Sequence, residues 1–275
     1  MPAVAIRLDD VHGRTPIELL ERMDTELWRG RPVTLATIPY PAPLSLGPAG
    51  TQAETPGGRS TMANLRLVRH LDAAIRRGCE VALHGLTHAD HKSPAGPAVP
   101  ELVATHPGHD RLLCRTFEGW RERFGTSVLV PPHNAIGPEL AASCVENGFV
   151  ISRSITDTEV AALGFQPTDP QGRAKAKLIP PSRRSLGTSE FFQTIGLSHK
   201  YVLRSGMTPA ATASILARTA AEAGNATVTF HWWDFAAGDG ASTAMWHYAA
   251  ELIYELSPLT HFDTISAFAR PGYTA

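Results

Sequence analysis

Short apolar runs alternate along this chain with longer stretches in which apolar residues recur every three or four positions. Residues 4–8, 33–38, 79–83, 128–130, 149–152, 191–195, 226–230 and 262–265 are runs of the first kind. They are bounded by acids, glycine, proline or other turn-forming residues, which predicts short, buried strands. Thr15-Pro16-Ile17-Glu18 has the form of a capping box with proline at the first helical position. It predicts a helix running to about Trp28 and stopped by Gly30. Residues 64–77 place Leu65, Val68, Leu71 and Ile75 at helical spacing and end at Gly78. Further helices are predicted over 110–124, over 138–147 with Gly148 just past the end, over 208–223 opened by Thr208-Pro209, and over 243–256.

Strands and helices alternate throughout, and this predicts an α/β fold with a mostly parallel sheet. No linker composition and no repeat interrupts the pattern, so a single domain over residues 1–275 is expected. Residues 39–60 and 89–108 are rich in proline, glycine and alanine. Loops of that length in a compact domain are often lids or binding loops. Residues 153–190 carry polar turns and basic pairs and give no periodic signal.

Composition narrows the classes of function. With 275 residues, 43% of them hydrophobic, the chain can bury a sizeable core. Its 25 basic and 26 acidic residues leave a formal net charge of -1, and no basic run is present. Nothing therefore points to a nucleic-acid or membrane partner. Cys79, Cys114 and Cys144 are widely spaced and odd in number, which fits free thiols better than a disulfide framework. The first residues enter a strand-like run with no signal-peptide pattern, so a cytoplasmic protein acting on a small soluble substrate is expected.

The candidate chemistry lies after the predicted strands. Asp9-Asp10 follows the first, His84-Gly85-Leu86-Thr87-His88 the third, His133 the fourth, and His231 the run at 226–230. In α/β sheets and barrels, active sites lie at the strands' carboxyl ends. Two imidazoles four residues apart can meet one ion if the segment makes a single turn. A carboxylate from another strand end can add a third ligand and leave a position open for water, as hydrolytic metal sites require. His12, His91, His106 and His109 read as surface or loop residues. Trp232 and Trp233 read either as core or as a sugar-stacking wall.

In order, Ile6-Arg7-Leu8-Asp9-Asp10, His84-x-x-x-His88, Pro131-Pro132-His133-Asn134 and Thr229-Phe230-His231 resemble the motifs of the polysaccharide deacetylases, the NodB-homology enzymes of carbohydrate esterase family 4. Phe262-Asp263-Thr264-Ile265-Ser266 is similar to that family's last strand and turn. The resemblance implies a distorted (β/α) barrel of about seven parallel strands. It implies a divalent metal on Asp10, His84 and His88, with zinc foremost and cobalt, nickel, manganese or iron also compatible with mixed nitrogen and oxygen ligands. Asp9 would be the general base and His231 the general acid. Pro131, Pro132, His133, Asn134, Trp232 and Trp233 would line the substrate. The family arginine that orients the base is replaced by Val130, so Asp9 needs another holder, such as Arg7 or Arg153. Asp157 is a weak match to the family's fourth-motif acid.

These residues support removal of an N-acetyl group from an amino sugar or small glycoconjugate. A metal-dependent hydrolase of a non-sugar amide or imide is a second reading. A carbohydrate-binding relative that has lost turnover is a third.

Overall fold

The computed structural model describes residues 1–41, 60–89, 99–103, 107–153, 161–162, 164, 166, 196–198, 206–236, 238 and 240–269. The strands are β1 (Ala3–Val11), β2 (Val33–Thr37), β3 (Glu80–Leu83), β4 (Val128–Leu129), β5 (Val150–Ile151), β6 (Gly196–Ser198), β7 (Ala226–His231) and β8 (His261–Phe262). They pair in the order β5-β4-β3-β2-β1-β7-β6, with β8 branching onto β1. Every pairing is parallel. The sheet curls into a half-barrel, the distorted (β/α) barrel expected from the motif order. Its helices are α1 (Ile17–Met23), α2 (Leu65–Arg76), α3 (Pro107–Phe124), α4 (Pro138–Glu146), α5 (Pro209–Ala223), α6 (Gly240–Leu256) and the single turn α7 (Ile265–Phe268). No described helix is long and apolar enough to cross a membrane.

The period-two alternation of β1 explains both faces of this sheet. Val4, Ile6 and Leu8 point outward into the large cluster shared with α1, α2, α5 and α6. Ala3 and Ala5 point inward, into a second, separate cluster with Ala36, Ala82, Val128 and Val130. The inner layer is narrow because it is built mostly from alanines and valines. Ile265 and Phe268 of α7 join that inner cluster. Glu80 ties α7 in place: its Oε2 accepts from Thr34 Oγ1 at 3.0 Å and from the Ser266 N–H at 3.4 Å. Burial pushes the Glu80 carboxyl up from its ordinary range. Continuing inward along β1, the next two residues are Arg7 and Asp9, so the barrel interior changes from alanine to charge within one strand.

Several boundaries differ from the sequence expectation, each for a local reason. The helix from residue 17 continues past Met23 as a π-helical turn, Asp24–Trp28, and ends at left-handed Arg29 and Gly30. Thr15 does not cap it; its Oγ1 instead accepts from the His12 N–H at 2.9 Å and closes the turn that follows β1. Leu65 is 65% exposed, because the buried face of α2 runs through Leu67, Val68, Leu71 and Ala74. The terminal run at 262–265 yields only the two-residue β8, and the Ile265 end belongs to α7. The strand placed at 191–195 lies outside the described residues, and β6 is found at Gly196–Ser198. By contrast, Thr208 caps α5 as its position predicts, accepting from the Ala211 N–H at 3.2 Å.

Candidate metal centre and active site

The site begins with a defect in β1. Between Leu8 and Val11 the strand advances three residues while β2 advances two, from Leu35 to Thr37, so one extra residue is inserted. Strict alternation would turn Asp10 outward, away from Asp9. The bulge and a left-handed Asp10, at φ 65°, re-aim its carboxylate into the same mouth. Aspartate tolerates this conformation better than most residues, and such strain collects at functional sites.

His84 leaves β3 directly opposite. Its Nδ1–H donates to the Val130 carbonyl at 2.8 Å, which turns Nε2 toward Asp10 Oδ1 at 3.2 Å. His88 Nε2 lies 3.3 Å from the same oxygen. The two histidines converge through a bend and not along a helix face, contrary to the single turn expected. Gly85 (φ 65°) and His88 (φ 58°) are both left-handed in that bend. A side chain at Gly85 would collide with the Glu101 carboxylate and the Pro132 ring. Buried Glu101 clamps the loop, accepting from the N–H groups of Leu86 (3.1 Å), Thr87 (2.7 Å) and His88 (3.1 Å). It also accepts from Thr87 Oγ1 at 2.6 Å.

These donors fit a divalent ion. Ligand atoms about 2.1 Å from a tetrahedral ion lie about 3.4 Å apart, close to the 3.2 and 3.3 Å edges from Asp10 Oδ1 to the two imidazoles. Among the described residues, Asp10, His84 and His88 form the grouping of possible metal ligands. Burial opposes charge on Asp10, yet the His84 hydrogen bond and the neighbouring imidazoles hold its carboxyl well below the ordinary range. Burial likewise opposes a proton on His84, but Asp10 and Asp9 raise it above its usual value. The pair thus stabilises positive charge between them, where a cation would replace the proton. Burial lowers His88 to about 4, leaving its lone pair free for a metal at neutral pH. Val130, the residue in the family arginine's place, contributes its carbonyl to hold a ligand histidine.

Asp9 sits beside this group without joining it. Arg7, on the same inward face two residues earlier, grips both of its oxygens: Nε to Oδ1 and Nη2 to Oδ2, each at 2.7 Å. Arg7 is 1% exposed and is anchored in turn by the Ser152 carbonyl (3.3 Å), Ser152 Oγ (3.2 Å) and Asn134 Oδ1 (3.4 Å). Of the two arginines considered as holders of Asp9, Arg7 is the one on the carboxylate. His231 is the register partner of Asp9 on β7, so both project from the same face of the sheet. Its side chain is 23% exposed, unlike a core histidine, with Nδ1 3.7 Å from Asp234 Oδ2. Its ring centroid lies 4.9 Å from that of Trp233, with the planes 33° apart.

The residues expected to line substrate divide. His133 is exposed, and its ring centroid lies 4.6 Å from that of His88. Asn134 is half-buried and turned toward Arg7. Pro131, Pro132 and Trp232 are buried, because they shape the loops behind the ligands. Both indoles are committed to Asp10: Trp232 Nε1–H donates to its carbonyl at 2.7 Å and Trp233 Nε1–H to its Oδ2 at 2.8 Å. His12, expected on the surface, is buried against Trp232, and burial lowers it to about 4. Its Nδ1 accepts from the Arg14 N–H at 3.0 Å. Asp157, His91 and His106 lie outside the described residues, as does the side chain of His109.

No family model matches the chain, and no curated protein matches its sequence. Solved structures do match. The chitin deacetylase of the fungal pathogen Colletotrichum lindemuthianum is 14% identical, with 98% of this chain and 88% of that chain covered and a TM-score of 0.49. The catalytic domain of the peptidoglycan N-acetylglucosamine deacetylase from Eubacterium rectale is 10% identical, covering 100% and 92%, with a TM-score of 0.49. A 4-alpha-glucanotransferase from Thermococcus litoralis is 12% identical, covering 98% of this chain and 40% of that one, with a TM-score of 0.48. Polysaccharide deacetylases are thus among the structures this chain is similar to. Likeness at this level does not name a reaction, and the site is read from its own geometry.

Proposed function

We propose that the protein is a metal-dependent hydrolase that removes an N-acetyl group from an amino sugar or a small glycoconjugate. The observation that carries this reading is the juxtaposition of two units at one strand-end mouth. Asp10, His84 and His88 form a cation-seeking set, and Asp9, one residue away, is held by Arg7 outside that set. A pure binding protein has no need of a second carboxylate fixed in this way beside three ligands.

The chain's own residues divide the work as follows. Asp10, His84 and His88 would hold the ion, zinc first among the candidates. When bound, it would lower the pKa of a water and polarise the acyl carbonyl. Asp9, its two oxygens oriented by Arg7, takes the proton from the attacking water. His231 protonates the leaving nitrogen, which departs poorly as an anion; Asp234 and the Trp233 ring bracket the imidazole.

Elemental analysis should find about one divalent ion per chain, and His84→Ala should lose it. Equal metal in both proteins would remove His84 from the ligand set. Acetate release from a panel of N-acetyl sugars, set against acyl amines and cyclic imides, tests the substrate class; turnover confined to the second group would transfer the activity to non-sugar amides. His231→Ala should keep fold and metal while slowing turnover, most for amines of high pKa and least for activated leaving groups. An equal loss on both substrates, with chemistry limiting the rate, would count against the acid role.

A further inference from the structure

We propose that Trp233 is a positioning residue of the metal centre: its indole N–H fixes Asp10 as a one-oxygen ligand, and its ring face fixes the imidazole of His231. The proposal rests on the metal reading of Asp10, His84 and His88. The carboxylate of Asp10 has two oxygens in two different settings. Oδ1 faces both imidazole nitrogens, at 3.2 and 3.3 Å. Oδ2 faces the Trp233 Nε1–H at 2.8 Å. A carboxylate free to rotate could offer both oxygens to one ion and fill the position that a hydrolytic site keeps for water. An indole has one N–H and no acceptor, so its bond can be made only to an oxygen that stays off the metal. The second indole acts on the backbone. Trp232 Nε1–H holds the Asp10 carbonyl at 2.7 Å, in the residue whose left-handed conformation aims the carboxylate. Both tryptophans belong to the 3₁₀ turn Trp232–Phe235 that follows His231, so one turn reaches the ligand and the acid together.

This differs from a stacking wall in what it predicts. A wall would be read by substrate alone; a clamp is read by the metal before any substrate is present. Trp233→Phe keeps an aromatic ring and removes the N–H. Outer-shell partners of this kind typically contribute about 10–100-fold in metal affinity. Titrating chelator-treated protein with Co²⁺, the variant should bind about 10-fold or more weakly than wild type. The visible d–d spectrum of its Co²⁺ form should also change, because a carboxylate that rotates alters the coordination number. In the wild type, Zn²⁺ titration should perturb the near-ultraviolet indole signal with saturation at one equivalent, and Trp233→Phe should lose most of that perturbation. Circular dichroism of the metal-free proteins checks that the variant is folded, and the wild-type indole signal tests the contact without any variant. Wild-type Co²⁺ affinity and spectrum in folded Trp233→Phe would overturn the assignment while leaving the metal centre standing. A wild-type indole signal that ignores Zn²⁺ binding would do the same. Failure of the wild type to bind either ion would instead remove the metal centre, and the clamp with it.

Discussion

Asp9→Asn is expected to retain its metal and lose about 10²–10⁴ of its turnover, the usual cost of removing a general base. The amide is nearly isosteric but cannot take the proton from water. The structure adds a second consequence. Arg7 donates to both Asp9 oxygens, and an amide can accept only one of those bonds; the other places an N–H₂ against the guanidinium. The variant therefore leaves a buried cation half-paired, and breaking a buried pair costs about 3–5 kcal/mol. Against a typical net stability of about 5–15 kcal/mol, the protein should fold yet melt earlier. Rates must then be compared well below the variant's transition, with metal content measured on the same sample. A folded, metal-loaded Asp9→Asn that turns over at the wild-type rate would show that Asp9 is not the base.

The parts of this site that were legible in the sequence are those governed by period. Alternation placed strands close to where β1, β2, β3, β4, β5 and β7 are found, and the candidate residues fell at their carboxyl ends. It also put Arg7 and Asp9 on one face, two residues apart, so Arg7 could be named beforehand as a possible holder of the base. What was not legible depends on local exceptions to period or on contacts distant in sequence. The bulge that turns Asp10 inward leaves no mark in a run of apolar and acidic residues. The two metal histidines meet through a bend that Glu101 clamps from 13 to 15 residues further on, in a stretch that reads as plain loop. Trp232 and Trp233 read as wall or core because hydrophobicity says nothing about where an indole N–H points. His12 reads as a surface residue because its burial comes from Trp232, more than two hundred residues away.

Arg7→Met should be the most destabilising single change in the barrel interior. Arg7 sits at 1% exposure where the inner face changes from alanine to charge, and it links β1 to Ser152 beyond β5 and to Asn134 beyond β4. Methionine fills part of the volume but leaves the Asp9 carboxylate without its cation in a water-poor interior. That situation typically costs about 3–5 kcal/mol, and chemical denaturation of metal-free protein should register it. Arg7→Lys separates charge from geometry. A lysine restores the cation but offers a point charge where the guanidinium offered a planar fork, and it cannot span both Asp9 oxygens, Ser152 and Asn134 at once. It should regain part of the stability while turnover stays low, since a displacement of about 1 Å at a reacting group can cost about 10² in rate. The double variant Arg7→Met/Asp9→Asn decides whether the two act as a pair. With both charges gone, nothing ionised is left stranded, and it should lose clearly less stability than the two single changes added together. Simple additivity would mean that the bidentate contact contributes no coupling, and Arg7 would then have to be read as a strut of the barrel, not as the group that aims the base.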